Sequence, residues 1–133
     1  MLEYIIKELE KKGLELKIQK DGISIKKGET EIANICWDEK KGRGEVIFYI
    51  TKPKYRKKGF GTIIFGVGLG QMIEYNISRV CGWATSEISK GIMEKYGLKQ
   101  AEKSKIKCWL YEGKLEKSTI YSVLRKSIEK LVV

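Results

Sequence analysis

Apolar and polar positions in the first third of the chain predict a short helix followed by an antiparallel meander. In residues 1–12 the apolar positions recur at helical spacing, and Gly13 is placed to end that helix. Residues 14–19 alternate apolar and polar, as a half-buried strand does, and Asp21-Gly22 is a strong hairpin turn. The next two predicted strands are the segment of Ile23 and Ile25 and residues 31–37.

An unbroken apolar run, residues 46–50, stands at the centre of this pattern. Its β-branched and aromatic residues predict a buried strand at 45–51, and Pro53 ends that strand because proline has no N–H to donate. The polar residues 38–44 before it include two glycines and predict a loop.

Residues 60–75 are apolar and predict a helix that faces the sheet. Gly66, Gly68 and Gly70 lie inside it; they are poor helix formers, and we expect them to permit close contact between helix and sheet. Later elements are predicted as strands at 79–85, 98–101 and 105–111 and helices at 87–96 and 115–132. Helices between strands imply some parallel pairing, so the predicted fold class is α+β, one domain over residues 1–133 with a mixed, mostly antiparallel central sheet and flanking helices.

A basic turn with glycines joins the strand at 45–51 to the helix at 60–75. It places the backbone N–H groups of residues 56–62 at a helix N-terminus, which has unpaired donors and attracts phosphate. Gly59 and Gly61 let the backbone bend and let an anion approach, and Arg56, Lys57 and Lys58 add positive charge. The alternative is a solvated basic turn between two core elements.

The segment Arg56-Lys57-Lys58-Gly59-Phe60-Gly61 resembles the acetyl-CoA signature of the GNAT acetyltransferase superfamily, Arg/Gln-x-x-Gly-x-Gly/Ala after a strand. Residues 86–98 are similar to the second cofactor segment of that superfamily. Glu94, Lys95 and Gly97 match it, whereas Ser86 stands where asparagine is usual and Met93 where tyrosine is usual. The resemblance covers roughly residues 31–111.

This resemblance implies a GNAT-like fold and acetyl-CoA as co-substrate. Two neighbouring parallel strands would splay apart, with the pantetheine arm on the backbone of one strand and the pyrophosphate on the glycine turn. The implied cofactor-binding residues are Tyr49, Ile50, Thr51, Arg56, Lys57, Lys58, Gly59, Phe60, Gly61, Thr62 and Ser86.

The resemblance also implies a catalytic base. Glu45-Val46-Ile47-Phe48 is similar to the Glu-Ile-Val-Phe segment of histone-type GNAT enzymes, so Glu45 would deprotonate the acceptor amine, with a pKa raised by the apolar strand. The alternative is a surface carboxylate at the start of a strand. Tyr96, one helical turn beyond Met93, is interpreted as a core aromatic, so no tyrosine is assigned as acid for the leaving thiolate.

Composition limits the other possibilities. The formal net charge of +10, from 27 basic and 17 acidic residues, suggests an anionic partner, namely cofactor phosphates, nucleic acid or an acidic acceptor; a lysine-rich surface that serves solubility is the alternative.

The sequence has no histidine, which excludes histidine-based nucleophilic schemes and histidine-based metal sites, and we expect no metal. Cys36, Cys81 and Cys108 are scattered, and we expect reduced, buried packing residues.

The N-terminal residues 1–9 are charged and lack the apolar core of a signal peptide. The longest weakly polar run, residues 60–70, is too short to span a bilayer. We therefore expect a soluble, cytoplasmic protein without membrane association.

Three functional hypotheses remain. The leading one is an acetyl-CoA-dependent N-acetyltransferase acting on a primary amine of a protein lysine, a protein N-terminus or a small molecule, with an acceptor site that is open or completed by a second subunit in a homodimer. The second is a non-catalytic acyl-CoA-binding regulatory module. The third, a nucleic-acid-binding protein, rests on charge alone, and without a nucleic-acid motif we do not expect specific binding of this kind.

Overall fold

Across the described residues, 2–105 and 108–133 of the computed structural model, seven strands form one sheet in the order β1-β2-β3-β4-β5-β7-β6. The strands are β1 (Glu15–Gln19), β2 (Gly22–Lys27), β3 (Thr30–Lys40), β4 (Arg43–Thr51), β5 (Arg79–Ala84), β6 (Lys99–Lys105) and β7 (Cys108–Lys114). The helices are α1 (Leu2–Glu10), α2 (Phe60–Glu74), α3 (Glu87–Lys95) and α4 (Lys117–Glu129), and a short 3₁₀ turn spans Pro53–Tyr55.

Strand pairing confirms the predicted mixed sheet. The first four strands pair antiparallel in sequence order, as the alternation and the Asp21-Gly22 turn predicted. β4 and β5 are parallel, and β7 pairs antiparallel with both β5 and β6. The fold class is therefore α+β, with a mostly antiparallel sheet.

The predicted loop at 38–44 is wrong. β3 runs on to Lys40 and β4 begins at Arg43, so only Lys41 and Gly42 connect them. Both connecting residues have positive φ, 54° and 77°, as a tight hairpin turn requires. The predicted strand at 105–111 includes residues 106 and 107, which lie outside the described residues; β7 is described from Cys108.

All four described helices lie on one face of the sheet. A Cβ on Gly44 of β4 would approach Met72 of α2, and a Cβ on Gly82 of β5 would approach Met93 of α3. Gly44 and Gly82 point to the same side of two in-register parallel strands, so α2 and α3 share that side. α1 and α4 pack against α2 itself, at Gly70.

The opposite face of the sheet, called the outer face below, carries no helix within the described chain. Side chains alternate along a strand, so Phe48 and Ile50 of β4 and Trp83 of β5 point to this face. They are 43%, 49% and 42% exposed, which is high for large apolar side chains near the middle of a sheet. The outer face therefore combines an apolar centre with open access to solvent.

Helix α2 forms the centre of the core. Every residue from Thr62 to Met72 is buried, as expected of a helix that is apolar all round. A Cβ on Gly66 would overlap Tyr96 and lie 2.6 Å from Leu124, and one on Gly68 would lie 2.7 Å from Ile35. Gly68 thus permits the predicted close contact of helix and sheet, whereas Gly66 permits close contact between helices, and the helix is regular.

The three cysteines are free but only half-buried, so the prediction of buried packing residues is wrong. Cys36 and Cys81 pair in register with Phe48 and Glu45, which places them on the outer face, where no described helix covers them. In the described part of the chain, no helix is both long enough and apolar enough to cross a bilayer.

Candidate acyl-CoA site

A cleft opens where β4 and β5 separate. Their pairing ends at Val46 and Gly82, and β4 then continues to Thr51 with β3 on one side and no strand on the other. On the other side of β4, Trp37 of β3 pairs with Val46 and Cys36 of β3 pairs with Phe48. Ile47 of β4 is therefore an extra residue without a partner, a β-bulge. Such a bulge bends a strand and increases its twist, which accounts for the separation from β5.

The cleft has a volume of about 960 Å³ and is lined by β4, the basic turn, the first turn of α2, the end of β5, and α3. Its lining residues are Val46, Ile47, Phe48, Tyr49, Ile50, Thr51, Tyr55, Arg56, Lys57, Gly59, Phe60, Gly61, Thr62, Trp83, Thr85, Ser86, Glu87, Ile88, Ser89, Gly91, Ile92 and Lys95.

The structure brings together most of the residues predicted to bind the cofactor. Those that line the cleft are Tyr49, Ile50, Thr51, Arg56, Lys57, Gly59, Phe60, Gly61, Thr62 and Ser86. Lys58 is not among the lining residues; its ammonium nitrogen lies 5.9 Å from the centre of the Tyr55 ring. Their function as cofactor ligands stays a prediction.

The basic turn presents an unpaired helix N-terminus to one end of the cleft. Gly59 is the N-cap of α2, in the left-handed conformation at φ 97°, and no side chain caps the helix. The first N–H groups of a helix have no partner within it, so those of α2 are free to bind an anion. Arg56 donates a hydrogen bond from Nε to the carbonyl oxygen of Thr51 at 3.1 Å, which holds the turn against the end of β4.

The N-terminus of α3, by contrast, is already capped. The Ser86 hydroxyl accepts a hydrogen bond from the Ser89 N–H, and the Ser89 hydroxyl accepts one from the Ser86 N–H, both at 3.1 Å. The predicted ligand Ser86 therefore has its side chain engaged in a capping box.

Tyr96 is a core residue, as predicted. It is 2% exposed, and its hydroxyl donates to the carbonyl oxygen of Thr62 at 2.5 Å. Burial raises the pKa of its phenol far above the usual range, so it is no acid for a leaving thiolate. Met93 is also fully buried.

Glu45 lies at the opposite end of the cleft, beside the point where the strands separate, but it is not a lining residue. Its carboxylate accepts a hydrogen bond from Arg43 at 2.9 Å and pairs with Lys40 at 3.4 Å. The hydrogen bond from Arg43 is the main cause that lowers the pKa of Glu45; partial burial opposes it, and Lys40 adds to the lowering. The predicted rise in pKa is therefore wrong, because Arg43 on the same strand and Lys40 across the hairpin both pair with the carboxylate.

Several cleft residues were missed from the sequence. Ile47, Trp83 and Ile88 are apolar, 59%, 42% and 73% exposed, and line the cleft. The loss of strict alternation in residues 46–50 was the available signal for the bulge. No group of three or more His, Cys, Asp or Glu that could hold a metal ion occurs in the described ranges.

The sequence matches no protein-family model and no curated protein. Solved structures are similar in fold. The ribosomal-protein-S18-alanine N-acetyltransferase of Escherichia coli is 8% identical with a TM-score of 0.64, over 75% of this chain and 72% of that one. The PaiA N-acetyltransferase of Thermoplasma acidophilum, solved with coenzyme A, is 19% identical with a TM-score of 0.58, over 70% of this chain and 59% of that one.

A third structure, from Desulfovibrio desulfuricans, is described as an acetyltransferase of the GNAT family; it is 8% identical with a TM-score of 0.64, over 71% of this chain and 68% of that one. At such low identity the similarity concerns the backbone. The sheet order, the splayed parallel pair and the helix that follows the glycine turn lead to one conclusion: this chain has the fold of the GNAT N-acetyltransferases.

Proposed function

We propose that this protein is an acetyl-CoA-dependent N-acetyltransferase that acts on a primary amine. The observation that carries the proposal is a cleft between two splayed parallel strands that ends on an uncapped helix N-terminus within a basic glycine turn. An uncapped N-terminus binds phosphate, and few ligands combine a polyphosphate end with a long, thin, amide-containing arm.

The backbone of β4 supports this substrate. One edge of Tyr49, Ile50 and Thr51 pairs with β3, whereas the edge that faces the cleft has no strand beside it after Val46. A strand edge without a partner leaves N–H and C=O groups for a ligand to pair with. The pantetheine amides of acetyl-CoA are of the right chemistry, with the pyrophosphate on residues 56–62.

The reaction is direct attack. The amine nitrogen bonds to the thioester carbonyl carbon, the carbon–sulfur bond breaks, and coenzyme A leaves as a thiolate. Glu45 takes the proton of the amine through a water molecule, since the carboxylate lies beside the vertex of the splayed strands but outside the cleft lining. Its lowered pKa makes it a weaker base than the sequence predicted, while its charge still attracts an ammonium group.

The acceptor is an amine on a protein, a lysine or an N-terminus, with a small-molecule amine as the other possibility. The open outer face supports a macromolecular acceptor because no described helix walls it off. The similar fold of an enzyme named for a ribosomal-protein alanine agrees with this, as an analogy of fold. Alternatively, a second copy of the chain, in a homodimer, completes the acceptor side of the site.

Calorimetry with acetyl-CoA tests the phosphate end. We expect micromolar binding by the wild type and its loss in a Gly59→Glu, Gly61→Glu variant, whose added carboxylates repel phosphate. A panel of amines and peptides then tests turnover, with Glu45→Gln as the control. A folded wild type that binds no acetyl-CoA would overturn the proposal.

The pairing of Glu45 with two cations favours a second candidate, a non-catalytic acyl-CoA-binding module. Such a module keeps the phosphate turn and uses the cleft for regulation. Tight, stoichiometric acetyl-CoA binding without turnover on any amine of the panel would favour it over the enzyme.

A further inference from the structure

We propose that the phenol of Tyr49 donates a hydrogen bond to an amide carbonyl of the pantetheine arm, and so fixes that arm in the cleft. This inference rests on the proposed function, since it assumes an acyl-CoA ligand. It concerns the side chain of Tyr49, in addition to the backbone contact that the resemblance implies.

Tyr49 lies on β4 between the vertex at Val46 and the basic turn, and it lines the cleft. Its side chain points to the helical face of the sheet, where its ring packs against Phe65 of α2 with centroids 4.9 Å apart. The Phe65 ring packs in turn against Tyr96 at 5.7 Å. This aromatic row holds the Tyr49 ring in place before any ligand arrives.

The Tyr49 hydroxyl is buried and has no hydrogen-bond partner in the described part of the chain. Tyr96 and Tyr111 are buried as well, and each has a partner: the Thr62 carbonyl at 2.5 Å and the Glu94 carboxylate at 2.7 Å. The phenol that lines the cleft is thus left unpaired, although an unpaired buried hydroxyl destabilises the free protein.

Ser89 of α3 is close enough to Tyr49 to oppose the rise in its pKa, but the two hydroxyl groups do not meet hydrogen-bond geometry. The Ser89 hydroxyl donates to the carbonyl oxygen of Ser86 at 3.0 Å, and it accepts from the N–H groups of Thr85 and Ser86 at 3.1 Å each. It has no further proton to give and its acceptor sites are occupied. A partner for Tyr49 therefore has to come from outside the described chain, and in the cleft it is water until a ligand replaces it.

The chemistry of that partner follows from the protonation of the phenol. Burial raises the pKa of Tyr49 to about 12, so the hydroxyl is a neutral donor at neutral pH. A neutral donor in an apolar wall suits a neutral carbonyl acceptor. The phosphates are bound by the basic turn at the end of the cleft, which leaves the amide carbonyls of the arm opposite Tyr49.

The test compares two ligands, coenzyme A and 3′-phosphoadenosine 5′-diphosphate, which lacks the pantetheine arm. For Tyr49→Phe we expect coenzyme A affinity to fall about 5- to 10-fold, the value of one hydrogen bond, with unchanged affinity for the nucleotide. We also expect the melting temperature of the free protein to stay equal or rise, because the variant removes an unpaired buried hydroxyl.

Tyr96→Phe is the matched control, since it removes a hydroxyl that has a protein partner. We expect it to lower the melting temperature and to leave the ratio of the two affinities as in the wild type. An unchanged ratio in Tyr49→Phe, or a lowered melting temperature there, would overturn the inference alone. A wild type that binds neither ligand would overturn the proposed function together with it.

Discussion

The two ends of the cleft are built differently, with backbone N–H groups of a helix at one end and a cluster of charged side chains beside the other. At the basic turn, all predicted ligands except Lys58 line the cleft, around an uncapped helix N-terminus. At the vertex, the predicted base Glu45 lies outside the lining and is paired with Arg43 and Lys40. The difference shows that an anion cradle made of backbone is a local property, whereas the strength of a base depends on which side chains the fold brings to it.

Glu45→Gln tests the vertex and has the largest expected effect. Removal of a general base lowers catalysis by about 10²- to 10⁴-fold, and the lowered pKa of Glu45 places it at the weak end of that range. We expect kcat/KM to fall about 10²-fold with the acetyl-CoA dissociation constant unchanged. Steady-state kinetics and calorimetry measure the two quantities. Unaltered kcat/KM would remove Glu45 from the mechanism.

Gly66→Ala tests the close packing of α2 against its neighbours. The added methyl group would overlap Tyr96 and Leu124, and overpacking of a core costs about 1–3 kcal/mol. Alanine has a higher helix propensity than glycine, which stabilises the variant by about 1 kcal/mol, whereas disturbance of the Tyr96–Thr62 hydrogen bond destabilises it. We expect the free energy of unfolding to fall by about 2 kcal/mol in total.

Gly91→Ala in α3 is the matched control for stability, because nothing lies within 4 Å of its added Cβ. Only the higher helix propensity of alanine changes here, so we expect the free energy of unfolding to rise by about 0.5–1 kcal/mol. Urea titration measures both variants. Equal effects of the two substitutions would contradict the close packing at Gly66.

Arg56→Gln, compared with Lys58→Gln, tests the basic turn. Arg56 lines the cleft and Lys58 does not, although both lie in the same turn. A charge-assisted hydrogen bond contributes about 1.5–3 kcal/mol, so we expect at least a tenfold loss of acetyl-CoA affinity for Arg56→Gln. For Lys58→Gln we expect a loss of about threefold or less, as for a solvated charge. Equal losses, measured by calorimetry, would show that net charge rather than position binds the cofactor.

Arg43→Gln has the smallest expected effect and tests the pairing at the vertex. Arg43 is the main cause of the lowered pKa of Glu45, so its removal raises that pKa towards the ordinary value. A base with a higher pKa is protonated sooner as the pH falls. The acid limb of the kcat/KM profile should therefore move to higher pH. An acid limb at the same pH in the variant would show that Glu45 does not accept the proton of the amine.

The sequence by itself determined the order of the elements, the antiparallel meander and the position of the basic glycine turn before α2. These depend on short-range features, namely alternation along strands, the Asp21-Gly22 hairpin and the glycines at the start of α2, which act within a few residues. The role of Gly66 and Gly68 in close packing was also predictable, because glycine destabilises a helix and its presence inside an apolar helix indicates a close contact there.

Tertiary structure alone decided the rest. The pairing of β3 with β4 brings Lys40 to Glu45, where it joins Arg43 of the same strand, and the two cations reverse the predicted shift of the Glu45 pKa. The bulge at Ile47 opens the cleft, and the packing of Tyr49 between α2 and α3 leaves its hydroxyl without a partner. The cleft and the unpaired phenol depend on distances between segments far apart in the chain, and a periodic pattern of apolar residues carries no information on those distances.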